Sequence, residues 1–156
     1  MPEPSTANAS SLHPRIRPIA VGLVWSAGRL LVEHGFDAVK GQAFHRPPGG
    51  GIEFGERALD TVRREFLEEM NVAVTPTRLA GVIENIFEFE GRPHHEIVFL
   101  IEARFEDPHM YDRAEFEIQE ADATRTIATW KSLDELAAGN APLYPEGLLG
   151  LLTGAR

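Results

Sequence analysis

The feature that most restricts how this chain can fold is the breaker cluster Pro47-Pro48-Gly49-Gly50-Gly51, followed at once by the longest helix-periodic run in the sequence. Leu59, Val62, Phe66 and Met70 fall on one stripe when each residue is turned by about 100°. This predicts a helix over Arg57–Met70 with that stripe against a core. Asn71 suits its C-terminal cap, because Asn tolerates the left-handed conformation in which many helices end. The prolines and glycines separate the helix from whatever extended segment comes before it.

Both flanks of this helix read as strands. From Ile16, the residues Ile19, Val21, Leu23 and Trp25 alternate with smaller ones, and Arg29–His34 continues in extended character after Ser26-Ala27-Gly28, which predicts a β-hairpin. Residues 35–42 read as a loop leading to a short strand or bend at Ala43-Phe44-His45-Arg46. After the helix, Leu79–Phe89 and His94–Phe105 form two extended runs joined by the turn residues Glu90-Gly91-Arg92-Pro93, with Ile97, Phe99, Ile101, Ala103 and Phe105 on one face. Residues 106–123 are acidic and weakly periodic, and are expected to form a long surface loop. Strand character returns over Thr124–Lys131. Ser132 with Glu135 predicts a capping box for a short helix ending near Gly139, and a last helix is expected over Glu146–Leu152. Strands on either side of one central helix fit an α+β class, or a mixed-sheet sandwich, better than a regular βαβ alternation.

A chain of 156 residues suits one domain, here expected over 15–156, and residues 1–14, rich in Pro, Ser, Ala and Asn, read as a flexible leader. No apolar stretch approaches the roughly 20 residues of a membrane-spanning helix, and Met1-Pro2-Glu3-Pro4 lacks the basic and apolar regions of a secretory signal, so a cytoplasmic location without a membrane partner is expected. Cysteine is absent, which excludes disulfides, thiolate metal sites and cysteine nucleophiles. Any metal must therefore sit on oxygen or histidine. The net charge of -9, with no cluster of Lys and Arg, argues against polymeric nucleic acid as a partner. It is compatible with a small anionic substrate if a divalent cation inverts the local field.

On the predicted helix Glu65, Glu68 and Glu69 lie at i, i+3 and i+4, so three carboxylates share one face beside the apolar stripe. Such an array repels itself unless a cation is bound, and hard oxygen ligands suit Mg²⁺ or Mn²⁺. The plainer alternative is a solvated acidic helix face. Against that stands the glycine cluster, since Gly49 to Gly51 lets the backbone approach a metal or phosphate closely. Arg64 adds a cation able to orient a carboxylate, and Glu56 sits at the helix entrance where the dipole favours it.

Gly50, five residues, Glu56, seven residues, then Arg64-Glu65-Phe66-Leu67-Glu68-Glu69-Met70-Asn71-Val72 resembles the Nudix box, departing only where Asn71 stands for the usual glycine. The flanking strands and Trp130-Lys131-Ser132-Leu133-Asp134-Glu135-Leu136 also look like the family's, more loosely. The resemblance implies the Nudix fold, a mixed β-sheet between helices, and hydrolysis of a nucleoside diphosphate linked to another group. It further implies metal ions on Glu65, Glu68 and Glu69, with the Gly49 carbonyl, supported by Glu56, Gly50 and Arg64. A catalytic acid from outside the box is common in related enzymes. Glu115, Glu117 and Glu120 are the candidates in the acidic loop, with Glu120 preferred, and Glu96 is a rival after the hairpin.

Arg46 is a candidate for a substrate phosphate or an exposed strand residue. Phe44, Phe87 and Phe89 are candidates to stack a base or to pack in the core. By resemblance, the proline of ADP-ribose hydrolases would fall near Phe87 and Glu88 and the tyrosine of dinucleoside polyphosphate hydrolases near Phe89; neither is present, and the NADH-type and coenzyme A motifs are missing too. The alternative function is a ligand-binding regulator on the same fold without turnover. Oligomeric state is left open, with a homodimer among the alternatives.

Overall fold

The computed structural model describes residues 14–154, so the leader expected over 1–14 lies outside the described residues except for exposed Pro14. The elements in chain order are β1 (Ile16–Leu23), β2 (Trp25–Ser26), β3 (Arg29–Asp37), β4 (Gln42–Arg46), β5 (Gly49–Gly51), α1 (Ala58–Met70), β6 (Val74–Phe89), β7 (Arg92–Phe105), β8 (Glu115–Gln119), β9 (Arg125–Ser132), α2 (Leu133–Ala138) and α3 (Leu148–Thr153). Four strands form a mixed sheet in the order β5-β1-β7-β6, with β1 parallel to β7 and the other pairs antiparallel. The second sheet, β2-β3-β9-β8 with β4 added on β3, is antiparallel throughout. This is the α+β architecture expected.

The central strands β1, β3 and β7 carry buried residues on both faces, which accounts for their unbroken apolar runs. In β3, Leu31 enters one core with Val62, Phe66 and Met70 of α1, while its neighbours Leu30 and Val32 enter a second core with Leu136 of α2 and Leu148 of α3. In β7 the same alternation sends Ile101, Ala103 and Phe105 toward α1 and Val98 and Leu100 the other way. Helix α1 therefore covers one side of the sandwich and the short C-terminal helices cover the other.

Local signals held where they were strong. Asn71 caps α1 at φ 55, ψ 40. The Ser132 hydroxyl accepts from the Glu135 N–H at 3.1 Å while the Glu135 carboxylate accepts from the Ser132 N–H at 2.7 Å, completing the capping box. Three expectations need correction. First, β1 is no partner of β3: the hairpin at Ala27-Gly28, both at positive φ, joins only β2 to β3. Apolar on both faces, β1 instead lies between β5 and β7.

Second, only the middle of residues 35–42 is a loop, since β3 continues to Asp37 and β4 starts at Gln42. The tight turn between them is held by Asp37, which accepts from the N–H groups of Val39 and Lys40 at 3.0 Å each. Third, residues 106–123 contain a 3₁₀ turn over Pro108–Asp112 and the strand β8. Phe116 and Ile118 are buried and alternate with the exposed acids Glu115 and Glu117, a pattern only five residues long within an acidic stretch. No helix among the described residues is long and apolar enough to cross a membrane.

Candidate functional site

Strand β5 consists of three glycines paired with β1, Gly50 opposite Ala20 and Gly49 opposite Val21. Its composition has a steric cause. A Cβ on Gly50 would stand 2.5 Å from the Glu65 carboxylate, and one on Gly49 would overlap the Ala20 carbonyl. The glycine strand thus lets the acidic face of α1 close against backbone.

Arg64 organises that face. Its Nε and Nη2 donate to the two oxygens of Glu56 at 2.7 and 2.9 Å, Nη2 also donates to the Gly51 carbonyl at 3.0 Å, and Nη1 donates to Glu65 at 2.9 Å and Glu68 at 3.2 Å. Glu56 further accepts from the Thr61 hydroxyl at 2.6 Å. The Arg64 hydrogen bonds hold the Glu56 carboxyl down at about 2 against the opposing effect of burial. The same contact, with the Glu65 charge, raises the guanidinium further above its ordinary range. One arginine thereby ties the loop before the helix to two of the three helix carboxylates.

The third, Glu69, faces a different group. Glu33 is 3% exposed in β3, and Arg46, its register partner on β4, donates to it at 3.2 and 3.4 Å. Arg46 also lies 3.6 Å from Glu120, which follows β8. Burial, a hydrogen bond with Glu65 and the charges of Glu120 and Glu33 push the Glu69 carboxyl up. Burial and Glu33 push Glu120 up as well, with Arg46 opposing. Acids from α1, β3 and the end of β8 are thus gathered in a partly dehydrated space where they resist ionising together.

Among the described residues no three of these groups converge tightly enough to form a finished ion cage. Glu65 and Glu68 turn toward Arg64 instead. The donor set itself, all carboxylate oxygen in mutual repulsion, is of the kind that suits a hard divalent cation.

Of the loop acids, Glu117 pairs with Arg125 at 3.2 Å and Glu115 is exposed, so Glu120 is the one beside Glu69 and Arg46. Glu96 lies elsewhere, in the wall of a cavity of about 280 Å³ that Arg46 also lines. Phe44, Phe87, Phe89 and Tyr144 supply the aromatic part of that wall. His94 stacks on Phe87 at 5.1 Å, while His95 points away and pairs with Glu84 at 3.1 Å. Glu33 was missed by sequence reasoning. Its signal is an acid directly after the apolar run Leu30-Leu31-Val32 on a strand, but only the pairing with β4 gives it a counter-charge.

The fold and the glutamate helix together define the class, an α+β enzyme of pyrophosphohydrolase type. The chain belongs to the Nudix family, whose NUDIX domain model matches residues 16–147. Similar solved structures include a NUDIX hydrolase from Nitrosomonas europaea, 17% identical, covering 89% of this chain and 87% of that one with a TM-score of 0.63. A MutT NUDIX hydrolase from Burkholderia pseudomallei is 23% identical, with coverages of 88% and 97% and a TM-score of 0.64. An ADP-ribose pyrophosphatase from Streptococcus suis is 18% identical, with coverages of 91% and 94% and a TM-score of 0.55. At such identities the likeness concerns the fold.

Proposed function

We propose that the protein hydrolyses a phosphoanhydride bond in a nucleoside diphosphate linked to another group, with Mg²⁺ or Mn²⁺ as cofactor. The observation that carries this reading is the gathering of Glu65, Glu68, Glu69 and Glu120 around two arginines, Arg64 and Arg46. Glu65, Glu68 and Glu69 would hold the ions, with the Gly49 carbonyl. A divalent ion bound there supplies neutralisation of the diphosphate charge and acidity to the attacking water.

The chain's own groups have separable tasks. Glu56 and Arg64 fix the helix carboxylates, and Gly50 leaves Glu65 the room it occupies. Glu120, or a helix glutamate, accepts the proton of the attacking water, since it reaches the same space from another sheet. Arg46, on the wall of the adjoining cavity with Phe44, offers its guanidinium to a substrate phosphate.

A nucleotide panel with product analysis tests this. Release of nucleoside monophosphate or phosphate that requires Mg²⁺ and collapses in Glu69→Gln is the expected result. Equal turnover by that variant would overturn the mechanism. No turnover of any nucleotide beside tight binding of one would favour a ligand-binding regulator on this fold.

A further inference from the structure

We propose that Asp37 and Lys40 latch the β3–β4 turn onto the β6–β7 turn and so set the far wall of the cavity beside Arg46. This makes them specificity-determining residues for the length of the group that the cavity accepts. The proposal rests on the nucleotide reading above only for the kinetic part of its test, and it assigns no base.

Asp37 ends β3 and is 3% exposed. A carboxylate so buried has to be met by donors. Its Oδ1 accepts from the N–H groups of Val39 and Lys40, within its own turn, at 3.0 Å each. Its Oδ2 accepts from the Glu90 N–H at 3.1 Å, and Glu90 belongs to the turn of the other sheet. A second link runs the same way, since Lys40 Nζ donates to the Glu88 carbonyl at 2.8 Å. Val39 completes the meeting of the two turns. Its two methyl carbons lie 4.0 Å from the point that a Cβ on Gly91 would occupy.

These links stand at one end of the cavity. Gln42, Phe44 and Arg46 alternate along β4 and all line it, so its long direction follows that strand. Arg46 is at the end beside Glu120, next to the acids of α1. Four residues back, roughly 13 Å away at about 3.3 Å per residue, Gln42 leads into the latch. Asp37, Lys40 and Glu88 line the cavity there.

Surface turns open locally at lower cost than core strands, so the two polar links decide whether this wall stands. Hydrogen bonds to a charged group are among the stronger ones, and both links have a charged partner, the Asp37 carboxylate in one and the Lys40 ammonium in the other. Behind them the Phe44 and Phe89 rings meet edge to face at 5.9 Å and form part of the same wall. With the latch shut, a group anchored at Arg46 has to end before Asp37. With it broken, the turns separate and a longer group fits. The carboxylates of α1 and their partner Arg64 take no part in these links, so the latch acts on what enters the cavity and leaves the glutamate site as it is.

Variants of the full chain test this, with thermal melting as the check that each folds. Asp37→Asn keeps a carbonyl on the two N–H groups of its own turn but sets an NH₂ against the N–H of Glu90, and Lys40→Met removes the second link. Amide exchange followed by NMR should speed up at Glu90 by at least about tenfold in both, although Lys40→Met leaves the Asp37–Glu90 bond its partners. Anilinonaphthalene sulfonate, an anion with two aromatic ring systems, should fluoresce weakly with the wild type and strongly with either variant. Adding Val39→Cys and Gly91→Cys to Asp37→Asn bolts the turns together again, in a chain with no other cysteine and across a gap close to the span of a disulfide. The oxidised form should exclude the dye and the reduced form admit it, while the strain of a side chain at Gly91, φ 77, is common to both. Unchanged Glu90 exchange in Lys40→Met, equal dye binding by wild type and variants or by the oxidised and reduced forms, or cysteines that will not pair would overturn the proposal. With Mg²⁺ and the nucleotide turned over best, both single variants should raise KM about tenfold and keep kcat within about twofold. The expected exchange and dye results without turnover of any nucleotide leave the latch standing and remove the hydrolysis, while turnover whose KM ignores the latch does the reverse.

Discussion

Arg64 grips Glu56 with two parallel hydrogen bonds, 2.7 Å from Nε and 2.9 Å from Nη2, and the side chains are only 22% and 16% exposed. A planar fork makes this contact and a lysine ammonium does not. Arg64→Lys should therefore lose about 2 kcal/mol of unfolding free energy in urea, and Arg64→Ala more, because Glu56 is then left without its counter-charge. Both should also lose most Mg²⁺-dependent activity. Wild-type stability in Arg64→Lys would show that charge alone suffices.

The same contact sets a pH dependence. Arg64 holds the folded-state Glu56 at about 2, below its ordinary 4.5, so the unfolded chain binds the proton first. The stabilisation is complete above about 4.5 and disappears as pH falls toward about 2. The urea midpoint of the wild type should fall more steeply across that window than that of Glu56→Gln, which lacks the titrating group. Parallel curves would contradict the assignment.

Gly50→Ala places a methyl group where the Glu65 carboxylate now lies. The variant should fold, because the ladder with β1 is made by backbone, yet need more Mg²⁺ for half-maximal activity and turn over about 10–100-fold more slowly. Activity measured against Mg²⁺ concentration checks this, and an unchanged Mg²⁺ requirement would count against Glu65 as a ligand.

The core beneath the site is close-packed at Gly22. A Cβ there would stand 2.6 Å from Cε2 of Phe66, which is 1% exposed. Gly22→Ala should cost about 1–3 kcal/mol through overpacking. Adding Phe66→Leu makes room, so the double variant should be more stable than the sum of the single losses by about 1 kcal/mol. Strict additivity in chemical denaturation would mean the clash is absorbed elsewhere.

Removing Arg46 strips the counter-charge from Glu33, which is buried while the arginine is 45% exposed on its side chain. Arg46→Ala should destabilise by about 2 kcal/mol, and adding Glu33→Gln should restore part of that loss. The restored stability should not restore catalysis, since Arg46 is assigned to the substrate phosphate. Recovery of both together would make Arg46 purely structural.

How much of this was legible in the sequence depends on the distance over which each interaction acts. Helix α1, its Asn71 cap, the Ser132–Glu135 capping box and the shared face of Glu65, Glu68 and Glu69 are set within one or two turns of chain, and periodicity and cap chemistry display them directly. The glycines of β5 could be read as permitting close approach, though not as lying under Glu65. Strand β8 stayed hidden because five residues flanked by acids carry too little alternation, and β1 was placed in the wrong sheet because apolar residues on both faces do not name a partner.

Pairings across the sheets belong to the tertiary structure alone. Glu33 meets Arg46 and Asn85 meets Glu96 through strand register, and Glu120 reaches Glu69 from the end of β8. The sequence by itself determined the glutamate helix and its family. The tertiary structure decided which distant acids join it and what the neighbouring cavity presents, because long-range contacts depend on how strands are ordered and aligned, which no local pattern encodes.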